Sequence, residues 1–154
     1  MNLTLALSVL KTTRQNFMAL MEKHTIEELN QIPAGFSNNL IWNFGHLVVT
    51  QQLLCYSLTG NKPHLDPIWI EKFRKGTKPE VPITAEEVTF LKEKALSLIA
   101  LFEQDYQNGI FENFQTYTTS FGFVLGSIEG AITFNNTHEG LHYGYALALR
   151  KSLV

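Results

Sequence analysis

An all-α fold, a four-helix bundle with a long crossover between its second and third helices, is what this sequence of 154 residues predicts. Three observations carry that expectation. Four long segments repeat apolar residues at steps of three and four, the period of one helix face. Proline and glycine between these segments divide the chain into four. No series of short alternating segments competes with them as strands. Four amphipathic helices in a chain of this length make a bundle with one substantial core, read here as a single domain over residues 1–154.

The first helix runs from about Asn2 to Lys23, with Leu3, Leu7, Leu10, Phe17 and Met21 on one stripe. Arg14 falls on that same stripe. There it is either the buried partner of a carboxylate, a contact for a substrate anion, or a side chain that snorkels outward. The second helix spans about Asn39 to Thr59, with Ser37 or Asn38 available as N-cap and Gly60 as its stop. It is apolar nearly all round, from Leu40 and Ile41 to Leu54 and Leu58. So little polar face demands cover on more than one side, by the bundle and by a second subunit. The third helix opens with Thr84-Ala85-Glu86-Glu87, a capping box. Val88, Leu91, Ala95, Leu98 and Phe102 then form its stripe, and Gly109 closes it.

The fourth helix runs from roughly Val124 to Lys151, with Val124, Ile128, Ala131, Asn135, His138, His142, Tyr145 and Leu149 on its inward stripe. Arg150 and Lys151 suit the negative end of its dipole. Between helices two and three lie Pro63, Pro67, Pro79 and Pro82, and Pro67 to Lys75 has the composition of a short helix. The aromatic, Thr-rich stretch from Phe111 to Phe123 is expected to be partly extended.

Composition narrows the function. Charged side chains make up 17% of the chain and apolar ones 45%, the reverse of a disordered sequence. Twelve Lys and Arg against fourteen Asp and Glu, without runs, exclude a nucleic-acid platform or a polybasic membrane patch. Leu3 to Leu10 is too short to span a bilayer and lacks the basic flank of a signal peptide. A single cysteine, Cys55, excludes an internal disulfide. The expected location is therefore the cytoplasm. Against this sparing use of charge stand five histidines.

His138 and His142 are one turn apart on the inward stripe, so their imidazoles reach one ion together or are satisfied by hydrogen bonds within the core. His46 shifts the balance toward an ion, because it lies mid-helix among bulky apolar residues. Gly45 beside it costs about 1 kcal/mol in a helix interior, which implies close approach of another element. Three imidazoles from facing helices would leave a coordination position for water or substrate, the arrangement of catalytic sites. Zinc or nickel suits such ligands best, ahead of iron or manganese.

His138-Glu139-Gly140-Leu141-His142 also spells the H-E-x-x-H of zinc peptidases. That reading fails, because no His, Asp or Glu follows His142 to complete it. A di-iron carboxylate centre fails as well, since helix two carries no carboxylate. Cys55, about 900° of helical rotation from His46, is a buried spectator, and His24 and His64 are solvated loop residues. Glu139 and Asn135 are the candidate catalytic groups, as side chains that orient an incoming molecule.

Ile41-Trp42-Asn43-Phe44-Gly45-His46-Leu47, Phe73-Arg74-Lys75-Gly76-Thr77-Lys78-Pro79 and His138-Glu139-Gly140-Leu141-His142-Tyr143-Gly144 occur in the order found in the DinB superfamily, which the sequence resembles over most of its length. The resemblance implies that His46, His138 and His142 bind a divalent metal. It also implies a homodimer. The family includes thiol-dependent transferases and hydrolases, so a low-molecular-weight thiol is an implied cosubstrate. Tyr145 departs from the Gln of many relatives, a change that bears on pocket polarity. The function expected is a metal-dependent transferase or hydrolase acting on a small electrophilic molecule. The alternative is a non-catalytic, metal-stabilised binding or stress-response module.

Overall fold

The computed structural model of the chain describes residues 2–153, and each long helix begins at a side chain that takes up its free amides. Helix α1 (Leu3–Met21) is capped by Asn2, whose Oδ1 accepts from Leu5 N at 3.0 Å. Helix α3 (Leu40–Cys55) is capped by Asn39, not by Ser37 or Asn38. Asn39 reaches Trp42 N at 2.8 Å, so the cap sits directly against the first apolar residue. A 3-10 turn, Ser57–Thr59, follows α3 and ends at Gly60, whose φ of +73° only glycine adopts without strain. Helix α5 (Ala85–Gln107) starts at the Thr84 capping box.

Two elements depart from the predicted boundaries. Helix α2 (Ile26–Asn30) is a single capped turn opened by a second capping box, Thr25 with Glu28. Pro33 follows so soon that no stripe builds up, which is why periodicity passes over it. The last helix, α6 (Ile128–Leu149), starts four residues later than expected, capped by Ser127. Val124 lies outside it in β2 (Val124–Leu125), paired antiparallel with β1 (Tyr117–Thr118). The step of four from Val124 to Ile128 imitates a helical stripe, but Gly126 and Ser127 break the chain between them. In the crossover, α4 (Pro67–Phe73) forms with Asp66 as cap and Pro67 in the first turn.

Helix α6 packs along α3 and α1, and α5 packs along the same two, giving the ring order α1–α6–α3–α5. Fourteen α3 residues are buried, and α1, α2, α4, α5 and α6 all contact it. Its apolar circumference is thus largely covered within one protomer. The core falls into two apolar clusters. One gathers Phe17, Phe44, Leu47, Leu91 and Leu149, and the other Leu10, Cys55, Phe102, Ile128 and Ile132. Between them in sequence, on three helices, lie the buried polar residues Arg14, Gln51, Asn135 and Glu139.

The crossover closes on α3 at Gly45. A Cβ there would meet the Phe73 ring at 2.5 Å, so only glycine admits the ring in its present place. We expect Gly45→Ala to destabilise the fold, because overpacking of about 1–3 kcal/mol outweighs a gain of about 1 kcal/mol in helix propensity. Gly144→Ala, with open space around it, should instead gain up to about 1 kcal/mol. Denaturant midpoints check the contrast; equal stability of the two variants would remove the packing constraint.

Candidate metal centre

Two helices and one loop assemble the site. On α3 the residues Trp42, His46 and Thr50 stand at steps of four, so one face of the helix looks into a cavity of about 640 Å³. Phe134, His138 and His142 of α6 form the opposite wall. The ring centroids of His46 lie 5.1 Å from His138 and 4.8 Å from His142, and the latter two are 4.5 Å apart. One ligand atom from each comes within 4.8 Å of the others. The fold thus brings together the three histidines singled out in the sequence.

Neighbouring groups decide which nitrogens carry lone pairs. His46 Nδ1 lies 2.7 Å from the Phe73 carbonyl oxygen, which can only accept, so Nδ1 is the protonated nitrogen. His142 Nδ1 lies 2.8 Å from Asn43 Oδ1. The Asn43 amide is fixed in that sense, because its Nδ2 donates to Asn38 Oδ1 and to the Asn39 carbonyl. Both imidazoles are therefore held with Nε2 unprotonated, the state that binds a metal ion, by the kind of outer partner that orients ligating histidines. Trp42 stacks on the His46 ring at 4.7 Å with planes 10° apart, restricting its rotation. His138 differs. Its Nδ1 is buried with no hydrogen-bond partner, a cost of about 1–3 kcal/mol that coordination through this nitrogen would remove.

Electrostatics favour the same state. Burial pulls the His138 pKa down to about 3, helped by the two neighbouring rings. Burial and then His46 bring His142 to about 4. His46 is also lowered by burial, although its bond to Phe73 opposes this. All three are neutral at pH 7, and the donor set fits a divalent ion that prefers imidazole.

The remaining polar candidates lie elsewhere. Glu139 is fully buried, with its carboxylate 2.6 Å from Arg14 Nη2. Arg14 Nη1 donates to the Ala95 carbonyl at 2.7 Å, and Asn135 Nδ2 donates to Glu139 at 2.9 Å. Arg14 is thus a carboxylate's buried partner, not a contact for a substrate. Neither Glu139 nor Asn135 lines the cavity. Cys55 is a free, buried thiol whose pKa burial pushes up, which suits a spectator. His24 stands 3.4 Å from Glu28, and His64 is 3.1 Å from Asp105 and half-exposed, both outside the cluster. Tyr145 is exposed rather than on the buried stripe.

The family profile described as the DinB superfamily matches residues 10–146. The chain belongs to the DinB superfamily. A solved structure of a conserved protein from Enterococcus faecalis shares the fold at a TM-score of 0.66 and 19% identity, with 97% of this chain and 95% of that chain covered. No curated protein matches the chain significantly. For a DinB-like site the sequence had signalled the histidines but not their supports. Asn43, a lone amide three residues before His46 in an apolar run, was the available signal for one. The Phe73 carbonyl belongs to the backbone and leaves no mark in sequence.

A histidine whose pKa is lowered by folding stabilises the native state above its ordinary value of about 6.5. That contribution is lost as pH falls below about 6.5, because the unfolded chain takes up the proton first. For His138 the loss between pH 6.5 and pH 5 is about 2 kcal/mol. We expect metal-free protein to lose stability over this range, and His138→Leu to flatten the profile. Chemical denaturation at the two pH values measures it, and equal slopes for both proteins would contradict it.

Proposed function

We propose that this protein is a cytoplasmic metal-dependent enzyme in which His46, His138 and His142 hold a divalent ion, zinc or nickel first, facing a substrate cavity. The observation that carries this reading is the opening of all three imidazoles onto one cavity of about 640 Å³. Among the described residues no fourth His, Cys, Asp or Glu joins the cluster to close it. A divalent ion held by these three histidines would supply Lewis acidity for activating a nucleophile.

The chain's own residues do the rest. The Phe73 carbonyl and Asn43 keep two imidazoles in the coordinating tautomer. Leu53, Leu54, Leu58 and Phe134 give the cavity an apolar wall, which receives the body of a small electrophilic molecule. With Glu139 tied to Arg14, no carboxylate among the described residues lines the cavity beside the ion's ligands. A thiol-consuming transfer reaction or a hydrolysis fits this chemistry.

Elemental analysis of purified protein should give about one equivalent of zinc or nickel. The variants His46→Ala, His138→Ala and His142→Ala should each lose most of it. Undiminished metal in all three would end the proposal. Asn43→Ala should weaken metal affinity about 10–100-fold, as loss of an orienting partner does.

The transferase form is tested by incubating metal-loaded protein with common cellular thiols and an aryl or epoxide electrophile. Metal-dependent loss of free thiol is expected, abolished in His138→Ala. Full metal occupancy with no turnover of thiols or of ester and amide substrates would favour a non-catalytic, metal-stabilised module.

A further inference from the structure

Among the described residues, the exposed Lys75 is the one with a charged side chain that lines the cavity beside the histidines. Lysines on surface turns are usually only solvated, but three features set this one apart. Two basic residues of the same stretch are already paired, Lys72 with Glu87 at 2.7 Å and Arg74 with Glu71 at 2.9 Å. Lys75 has no carboxylate partner among the described residues. Its position is also fixed by the turn that carries it. Thr77 Oγ1 donates to the Arg74 carbonyl at 2.8 Å and accepts from Trp42 Nε1 at 3.1 Å. Gly76, at φ +89°, closes the turn. The same Trp42 stacks on His46, so the turn holding Lys75 is anchored to a histidine of the site.

The rest of the wall is largely apolar. Leu53, Leu54, Leu58, Phe134 and Leu141 provide that surface. Among the described residues no carboxylate lines the cavity. A wall with apolar sides, one unpaired cation and no negative charge is complementary to an anion with an apolar body.

We infer that the ligand of this cavity is a small molecule with an apolar or aromatic body and an anionic group, and that Lys75 is the specificity-determining residue that receives that group. The inference rests on the proposed reading of the cavity as a substrate site. It adds the charge of the substrate and the residue that reads it. A carboxylate at Lys75 leaves the ligand's other end to reach the histidines.

Isothermal titration with 4-phenylbutyrate and its neutral isostere 4-phenylbutanamide tests this on zinc-loaded and zinc-free protein, with zinc content measured in each sample. The carboxylate should bind about tenfold more tightly than the amide, as a charge-assisted contact allows. Lys75→Ala should reduce the preference in zinc-loaded protein and erase it in zinc-free protein, whereas Lys75→Arg should retain it. Because the lysine charge does not depend on an ion, the part of the preference removed by Lys75→Ala should persist in zinc-free protein. Equal binding of the two probes, a preference unchanged in Lys75→Ala, or no binding of either probe would overturn the inference. Failure to take up zinc would count against the metal centre alone, since the zinc-free comparison still decides the role of Lys75.

Discussion

Which way α6 faces is settled by one buried ion pair, Arg14 with Glu139, and the site follows from that choice. Successive residues on a helix are about 100° apart. With Glu139 pointing at α1, His138 falls about 100° to one side and His142 about 60° to the same side. Asn135 stays within about 40° of Glu139 and joins its hydrogen bonds. The pair therefore turns both histidines away from α1 and toward α3. Such a pair adds little net stability when complete, but removing one partner costs about 3–5 kcal/mol, because a charge is then buried alone. That asymmetry penalises every other rotation of α6, and the carbonyl of Ala95 ties α5 into the same arrangement.

On the opposite wall the constraint is steric rather than electrostatic. Gly45 lets the Phe73 ring lie against α3, and the carbonyl of the same residue then reaches His46 Nδ1. A larger residue at position 45 would displace the ring and the carbonyl together. The crossover, which reads as a proline-rich linker, is in this way part of the site. Its short helix supplies the partner of one histidine, and its next turn supplies Lys75 and the hydroxyl that holds Trp42. Two distant segments must dock correctly before the three imidazoles converge.

These facts explain what was legible in the sequence. The long helices and the three histidines announce themselves because periodicity and spacing are local properties, and α5, with its capping box, closely matches its expected span. The start of α6 was misplaced because Val124 keeps the spacing of the stripe although a strand carries it. The His138 and His142 side chains flank the most buried line of α6 rather than lying on it; Glu139 occupies that line. A one-helix wheel does not separate these positions, since they differ by less than a third of a turn. The Arg14 partnership was nearly readable. A guanidinium on the apolar stripe of α1 needs a carboxylate, and Glu139 is the acid nearest the middle of the last helix. The Phe73 carbonyl was not readable at all, because it depends on where the crossover lands.

The same ion pair resolves the resemblance to a peptidase motif. In an H-E-x-x-H centre the glutamate must stand beside the metal-bound water as general base. Here the intervening glutamate faces the core, with Arg14 Nε and Nη2 both donating to its carboxylate. A carboxylate so engaged is not available to take a proton in the cavity, and it contributes no negative charge to the cavity wall. The interior negative charge of α6 is neutralised on one side of the helix while the other side presents only neutral imidazoles. Two histidines that share a helix with a glutamate thus form a centre without a protein anion. With its charge turned toward Arg14, Glu139 sets no negative charge against the anionic ligand proposed for the cavity.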